Sequence, residues 1–167
     1  MASIVIMGVA GCGKSSLAAL LAQTKGWVLI EGDDHHSAAS RAKMRDGIAL
    51  TDADRDGWLN RLSELLQTHP GGMVLTCSAL KRAYRERLRQ AAPGLQFVFL
   101  EITPQQALAR VTARAQNHFF SSSLVESQFA TLEDPTGEPG VLRLDATADL
   151  PQLQSAALSW LSANTSH

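Results

Sequence analysis

The sequence predicts a single α/β domain, a three-layer sandwich in which helices cover both faces of a parallel β-sheet. Its 167 residues match the usual size of one domain. Short apolar runs alternate along the chain with helix-length segments, a pattern typical of parallel sheets. A glycine-rich loop directly follows the first apolar run. We therefore expect one domain spanning residues 1–167.

Five apolar runs predict the strands. They lack clean alternation of apolar and polar residues, which favours strands that are buried on both faces. The predicted strands cover residues 4–7, 27–30, 73–76, 97–100 and 141–144.

The segments between these strands have apolar residues at helical spacing. Thr51 is a predicted N-cap, and Thr103 followed by Pro104 gives a second cap with a first-turn proline. The predicted helices cover residues 15–23, 52–67, 81–91, 104–115, 124–132 and 150–161.

Two polar segments with weak periodicity interrupt this pattern. Residues 33–50 are a candidate substrate flap, and residues 115–123 are a candidate lid. Both lie where the chain leaves the helix and strand pattern, so we expect them to be loops that face a ligand.

Composition excludes several classes of partner. Fifteen basic and sixteen acidic residues give a formal charge of −1, which argues against nucleic-acid and anionic-membrane binding. The apolar runs are too short to span a membrane. Cys12 and Cys77 form no close pair, as expected for reduced thiols inside a cell. We expect a cytoplasmic protein.

The glycine-rich loop matches G-x-x-x-x-G-K-[ST], the phosphate-binding P-loop. It lies between a strand and a helix, where backbone N–H groups and the helix N-terminus can hold phosphates. Lys14 is expected to bridge the β- and γ-phosphates of ATP, and the Ser15 hydroxyl to bind Mg²⁺. A ligand-free glycine turn is the alternative. The expected nucleotide-binding residues are Gly8, Val9, Ala10, Gly11, Cys12, Gly13, Lys14, Ser15 and Ser16.

The carboxyl ends of the other strands should supply the acceptor site. Asp33 follows the second strand and could accept a hydroxyl proton or hold the metal's water shell, while a solvated or capping role is the alternative. After the third strand, Lys81 and Arg85 are four residues apart and would share a helix face. Two cations at this position favour an anionic acceptor.

Further arginines are candidates with open alternatives. Arg55 could face the flap or form a surface ion pair. Arg110 and Arg114 lie four apart on the helix before the lid, where they could neutralise a phosphoryl transition state or simply be solvated.

Together these residues resemble the gluconate kinase family of small P-loop enzymes, and the resemblance covers most of the chain. It rests on motifs that occur in order at similar separations, which are MGVAGCGKSS, EGDDHH, KMRDGIALTDADRDGWL, CSALKRAYRERLR, FVFLEI, HFF and SLVESQFATLEDP.

The resemblance implies an adenylate-kinase-like sheet with strand order 2-3-1-4-5 and a homodimer. It also implies that ATP and Mg²⁺ serve the phosphorylation of D-gluconate to 6-phospho-D-gluconate. Catalytic roles would fall to Lys14, Asp33, Arg110 and Arg114. The sugar acid would be held by Asp33, His36, Arg55, Lys81, Arg85, His118 and Gln128.

The chain departs from the family pattern in its flap and in the segment that follows it. Ser37 replaces a proline, Ser40 stands where asparagine is expected, and Gly57 replaces a second proline. The alternatives are therefore a kinase of another small acceptor, such as shikimate, a related aldonate or a nucleoside monophosphate, and a nucleotide-binding regulator without acceptor chemistry.

Overall fold

A computed structural model describes residues 3–69, 71–113 and 122–164. Its strands agree with the predicted ones to within two residues at each end. They are β1 (Ser3–Met7), β2 (Val28–Glu31), β3 (Met73–Thr76), β4 (Gln96–Glu101) and β5 (Val141–Asp145).

The five strands form one sheet in the order β2-β3-β1-β4-β5, and every neighbouring pair is parallel. In register, Val5 of β1 lies between Leu75 of β3 and Phe97 of β4. The predicted fold class and strand order are therefore confirmed. Because all strands run in the same direction, their carboxyl ends meet at one edge of the sheet.

The helices also follow the predicted pattern, with one exception. They are α1 (Lys14–Lys25), α2 (Ala38–Arg45), α3 (Asp52–Thr68), α4 (Arg82–Ala91), α5 (Pro104–Ala113), α6 (Ser122–Thr131) and α7 (Leu150–Asn164). The sequence did not predict α2. It lies inside the candidate flap, after a short 3₁₀ turn at Gly32–His35.

Two hydrophobic clusters lie on opposite faces of the sheet, and alternating residues of β1 enter them. Ile4 and Ile6 pack against α1, α5 and α7 on one face. Val5 and Met7 pack against α3 and α4 on the other face. This arrangement is the predicted three-layer sandwich.

The two edge strands are less covered than we expected from their apolar sequences. Val28 and Leu29 of β2 are 46% and 36% exposed, and β5 alternates between exposed and partly buried residues. Edge strands have a neighbour on one side only, so their apolar residues are not fully enclosed. Among the described residues, no helix is both long and apolar enough to cross a membrane.

Candidate active site

A pocket of about 350 Å³ opens at the carboxyl ends of β1, β2 and β3. The P-loop forms one side of it, the 3₁₀ turn after β2 a second, and the segment after β3 a third. Helix α6 contributes Leu124, Ser127 and Gln128 to the pocket lining. The pocket therefore lies where parallel α/β sheets usually bind their ligands.

The P-loop connects β1 to α1 through a tight turn that needs glycine. Gly8 has a φ of 147°, and a Cβ at this position would lie 2.7 Å from Cys12 Sγ and 2.9 Å from the Leu100 carbonyl oxygen. Helix α1 begins at Lys14 without a side-chain cap, so no capping side chain covers its first N–H groups. The Lys14 ammonium donates to the Gly8 and Val9 carbonyl oxygens at 2.9 and 3.2 Å. This loop fits a polyphosphate.

Oxygen ligands for a hard cation lie beside the loop. Ser15 Oγ donates to Glu31 Oε2 at 2.8 Å, and Thr76 Oγ1 donates to the same carboxylate oxygen at 3.1 Å. A hydroxyl next to a carboxylate is the kind of oxygen set that Mg²⁺ prefers. These residues therefore fit a Mg²⁺ site, with Ser15 as the expected ligand.

The turn after β2 is fixed by its close contact with β3. A Cβ on Gly32 would lie 2.2 Å from the Thr76 carbonyl oxygen, so only glycine fits there. The Gly32 N–H donates to Thr76 Oγ1 at 3.2 Å, and its carbonyl oxygen accepts from Trp58 Nε1 at 2.7 Å. This clamp holds Asp33, the next residue, at the pocket.

His36 supports the Asp33 carboxylate from the same turn. Its Nε2 lies 3.6 Å from Asp33 Oδ1, and its ring stacks on Trp58 with centroids 4.3 Å apart. Loss of solvent would raise the Asp33 pKa, but the nearby His36 ring and the charge of Lys14 outweigh it and lower that pKa. Asp33 is therefore a carboxylate at neutral pH.

Arg55 brings a positive charge to the pocket. It lines the pocket and donates from Nη1 to the Tyr84 hydroxyl at 3.2 Å. Among the described residues it forms no ion pair with a carboxylate. An anionic ligand in the pocket would supply the negatively charged partner that Arg55 lacks among the described residues.

Lys81 lies next to this group but outside the pocket lining. Its ammonium donates to both carboxylate oxygens of Asp52, at 3.0 and 3.2 Å, and Asp52 also accepts from the Tyr84 hydroxyl. The hydrogen bond to Asp52 raises the Lys81 pKa. Lys81 is thus a charged neighbour of the Arg55 site, already paired with a carboxylate.

Gln128 joins α6 to the P-loop. Its Oε1 accepts from the Ala10 N–H at 2.6 Å, and its side chain lines the pocket. Cys77 and Ser78 line the wall after β3. Burial raises the pKa of the Cys77 thiol to about 12, so it is a neutral wall residue rather than a nucleophile.

Arg110 lies behind the P-loop instead of inside the pocket. It donates from Nη1 to the Gly11 carbonyl oxygen at 3.1 Å and from Nη2 to the Ala146 carbonyl oxygen at 3.0 Å. It therefore braces the loop against the segment after β5. Cys12, a residue of the loop itself, is buried, and its side chain lies next to Gly8.

Arg85 is not brought into the pocket, in contrast to the expectation from sequence. Its side chain is fully buried and forms an ion pair with Glu138 at 2.6 Å. The spacing argument placed Lys81 and Arg85 on one helix face. In the structure Lys81 precedes the helix as its N-cap, so the two side chains point to different surroundings.

The other expected residues divide into two groups. Arg114 and His118, with most of the candidate lid, lie outside the described residues. Of the remaining candidates, the structure brings together in the pocket Ala10, Gly11, Gly13, Lys14, Ser15, Ser16, Asp33, His36, Arg55 and Gln128.

Sequence reasoning missed Glu31 as a functional candidate. It stands two residues before Asp33 in the same acidic stretch, and its place at the carboxyl end of β2 was the available signal. Thr76 and Trp58 were missed as supports of this turn because their roles depend on contacts between distant elements.

Comparison with known proteins agrees with this geometry. A family model described as "AAA domain" matches residues 4–139. A gluconokinase of Gluconobacter oxydans (strain 621H) is 45% identical over 144 residues, which cover 84% of this chain and 80% of that protein. The thermosensitive gluconokinase of Escherichia coli (strain K12) is 37% identical over 153 residues, covering 89% and 81% of the two chains.

A solved structure gives the same result in three dimensions. The crystal structure of a gluconokinase from Sinorhizobium meliloti 1021 has a TM-score of 0.89 and 43% sequence identity, covering 97% of this chain and 92% of that one. The sequence match and the fold match each extend over most of both proteins. The chain therefore belongs to the gluconokinase family of P-loop kinases.

Proposed function

We propose that this protein transfers the γ-phosphate of ATP to D-gluconate and forms 6-phospho-D-gluconate and ADP. One observation carries the proposal, which is that Lys14 of the P-loop, the Asp33 carboxylate and the Arg55 cation line a single pocket. The names of the similar gluconokinases support gluconate as the acceptor.

In this proposal the P-loop holds the phosphate tail of ATP. Lys14 would exchange its bonds to the Gly8 and Val9 carbonyl oxygens for bonds to the β- and γ-phosphates. Arg110 would serve the phosphates indirectly, by holding the Gly11 carbonyl oxygen and thus the shape of the loop.

Mg²⁺ would bind at the Ser15 hydroxyl, with Glu31 beside it. Bound there, the ion would offset the charge of the phosphate oxygens. The role of this chain is to supply the oxygen ligands and to hold Glu31 through the Thr76 hydroxyl.

On the acceptor side, Arg55 would bind the gluconate carboxylate, since it has no carboxylate partner of its own among the described residues. The gluconate 6-hydroxyl oxygen would then attack the γ-phosphorus as the bond to the β–γ bridging oxygen breaks. Asp33 would accept the hydroxyl proton, and ADP would leave with the bridging oxygen.

Other polar residues of the pocket would hold the remaining hydroxyl groups of the sugar acid. We assign this role to His36 and Gln128, which line the pocket. We also propose that His118 contacts the sugar acid and that Arg114 contacts the phosphates. Lys81 would exchange its bonds to Asp52 for a contact with the sugar acid.

We further propose that the enzyme is a cytoplasmic homodimer. Its two cysteines are free, as is usual in reducing compartments. The exposed apolar residues Val28 and Leu29 on the β2 edge offer one candidate face for a second copy. Light scattering on the purified chain measures the oligomeric state directly.

The function is tested by ADP release in a coupled assay with a panel of acceptors, which includes gluconate, related aldonates, shikimate and nucleoside monophosphates. We expect gluconate to give the highest kcat/KM. A higher value for another acceptor would replace gluconate as the substrate. Nucleotide binding without ADP release for any acceptor would instead indicate a regulator.

A further inference from the structure

We propose that Arg85 is a positioning residue for the acceptor site, which acts with Glu138 by fixing the backbone of residues 77–81. We call this segment the β3–α4 turn. The inference rests on the proposed function, because it assigns the turn to the acceptor wall of the same pocket. It also replaces the expected direct contact between Arg85 and the sugar acid.

The turn carries residues that form the pocket and its mouth. Cys77 and Ser78 line the pocket, and Lys81 at its end reaches Asp52 next to the Arg55 site. Between them Ala79 has a φ of 47°, the only positive φ of a non-glycine residue in the described part of the chain. Alanine disfavours this conformation, so surrounding contacts must hold the turn in place.

Arg85 supplies those contacts on one side of the turn. Its Nη1 donates to the Ala79 carbonyl oxygen at 2.7 Å and to the Leu80 carbonyl oxygen at 3.2 Å. Arg85 Nη1 thus holds the two peptide groups that follow Ala79, the residue with the positive φ.

The remaining Arg85 donors are also occupied within the protein. Nε donates to Glu138 Oε1 at 2.9 Å, and Nη2 donates to Glu138 Oε2 at 2.6 Å and to the Glu133 carbonyl oxygen at 3.0 Å. A guanidinium has five N–H donors, and all five are used here. With its side chain fully buried, Arg85 has no donor left for a substrate.

Glu138 orients Arg85 from the loop before β5. Its carboxylate is 8% exposed and also accepts from Arg89 Nη2 at 3.1 Å. The hydrogen bonds from Arg85 lower the Glu138 pKa against the effect of burial, which keeps the carboxylate charged. The planar fork of arginine matches a carboxylate in a way that lysine cannot reproduce.

A second connection leads from the turn to the P-loop. The Glu133 N–H donates to the Leu80 carbonyl oxygen at 2.7 Å, and Glu133 Oε1 accepts from the Arg82 N–H at 2.7 Å. Glu133 follows α6, which carries Gln128 and its bond to the Ala10 N–H. The turn is thus held between Arg85 and the end of α6.

The test compares R85K, E138Q and the double variant with wild type in steady-state assays with gluconate. We expect each single variant to lower kcat about 10- to 100-fold through misplacement of the acceptor wall. ATP affinity, measured separately by equilibrium binding, should stay within about twofold of wild type because neither substitution changes a P-loop residue or the Gln128 bond to the Ala10 N–H. The double variant should be no worse than the poorer single variant, since both changes disrupt one network.

The control is R87K, on the same helix, because Arg87 contacts Asp56 and Asn60 at the surface and should tolerate lysine without loss of activity. Thermal unfolding identifies variants that fail to fold, and E138Q tests the proposal if R85K does not fold. A direct substrate contact would instead leave E138Q with wild-type kcat and give R85K a raised KM for gluconate alone, which would overturn the proposal. If wild type phosphorylates another acceptor, the proposed function fails and the same comparison is made with that acceptor.

Discussion

At the scale of single residues, the chemistry of the pocket depends on three charged groups with different surroundings. Lys14 donates to carbonyl oxygens of its own loop, and Asp33 lies next to His36. Arg55 contacts the hydroxyl and the ring of Tyr84 and forms no ion pair with a carboxylate among the described residues. Each of the three residues therefore has a distinct proposed role, and a single substitution tests each role separately.

Replacing Lys14 by alanine should lower kcat by about two to three orders of magnitude, because one preorganised charge that stabilises the transition state is lost. Steady-state assays at saturating ATP and gluconate measure this loss. K25A is the matched control, since Lys25 lies at the far end of the same helix over the Trp27 ring. Normal turnover in K14A would contradict the assigned role.

Replacing Asp33 by asparagine should lower kcat/KM for gluconate by about 10²- to 10⁴-fold, because the proton acceptor is lost. The Asp33 pKa is lowered, so the wild-type carboxylate is ionised at neutral pH and protonated only in strongly acidic solution. The ratio of wild-type to D33N kcat/KM should therefore be constant between about pH 6 and pH 8. A ratio that decreases as the pH falls through this range would show a raised pKa instead.

Replacing Arg55 by methionine should raise the KM for gluconate about 10- to 100-fold, since a hydrogen bond to a charged group contributes about 1.5–3 kcal/mol. The KM for ATP should stay near its wild-type value because Arg55 lies on α3 and is not part of the P-loop. R61M is the control, as Arg61 lies on the same helix in an exposed pair with Glu64. An unchanged gluconate KM in R55M would place the carboxylate elsewhere.

The residue scale is also where sequence reasoning reached its limit. Lys14 could be chosen from the sequence because the P-loop motif is local, and Asp33 because it comes two residues after the end of β2, at the edge where parallel strands end. Arg85 could not be assigned, because its surroundings depend on Glu138, which is 53 residues away in the sequence. Spacing on a helix gives the direction of a side chain but does not identify the group that it contacts.

At the scale of elements, local signals in the sequence predicted the helix starts well. Thr51 caps α3, and Asp54 completes a capping box with it, as expected from the cap signal at Thr51. Thr103 and Gln106 exchange the same pair of bonds at the start of α5. These signals succeed because both partners lie within one turn of the chain.

Replacing Thr51 by alanine should reduce the free energy of unfolding by about 1 kcal/mol, because the Asp54 N–H loses its side-chain acceptor. Urea unfolding followed by circular dichroism measures the difference. S63A, in the middle of the same helix, should change stability by less than about 0.5 kcal/mol. Equal stability of T51A and wild type would show that the cap does not stabilise α3.

Helix α2 was not predicted because its sequence carries little pattern. Only Ser40 and Met44 of its eight residues are buried, and most of the others face solvent. Ser37 caps this helix by accepting from the Ser40 N–H at 3.1 Å. The start of α2 is therefore fixed by a local cap within the flap.

At the scale of the whole molecule, the sheet order accounts for the pocket. Placing β1 between β3 and β4 brings the P-loop next to the turns after β2 and β3, and so joins nucleotide and acceptor sites. The alternation of strands and helices predicted this class of fold. The strand order itself came from the family resemblance, because no local signal in the sequence encodes it.

The proposed function requires that one pocket holds the phosphate tail of ATP at the P-loop together with a sugar acid. The most direct measurement is a crystal structure with gluconate and a non-hydrolysable ATP analogue. We expect the triphosphate at Lys14, the gluconate carboxylate on Arg55 and its 6-hydroxyl beside Asp33. A gluconate molecule bound outside this pocket, or with its carboxylate away from Arg55, would contradict it.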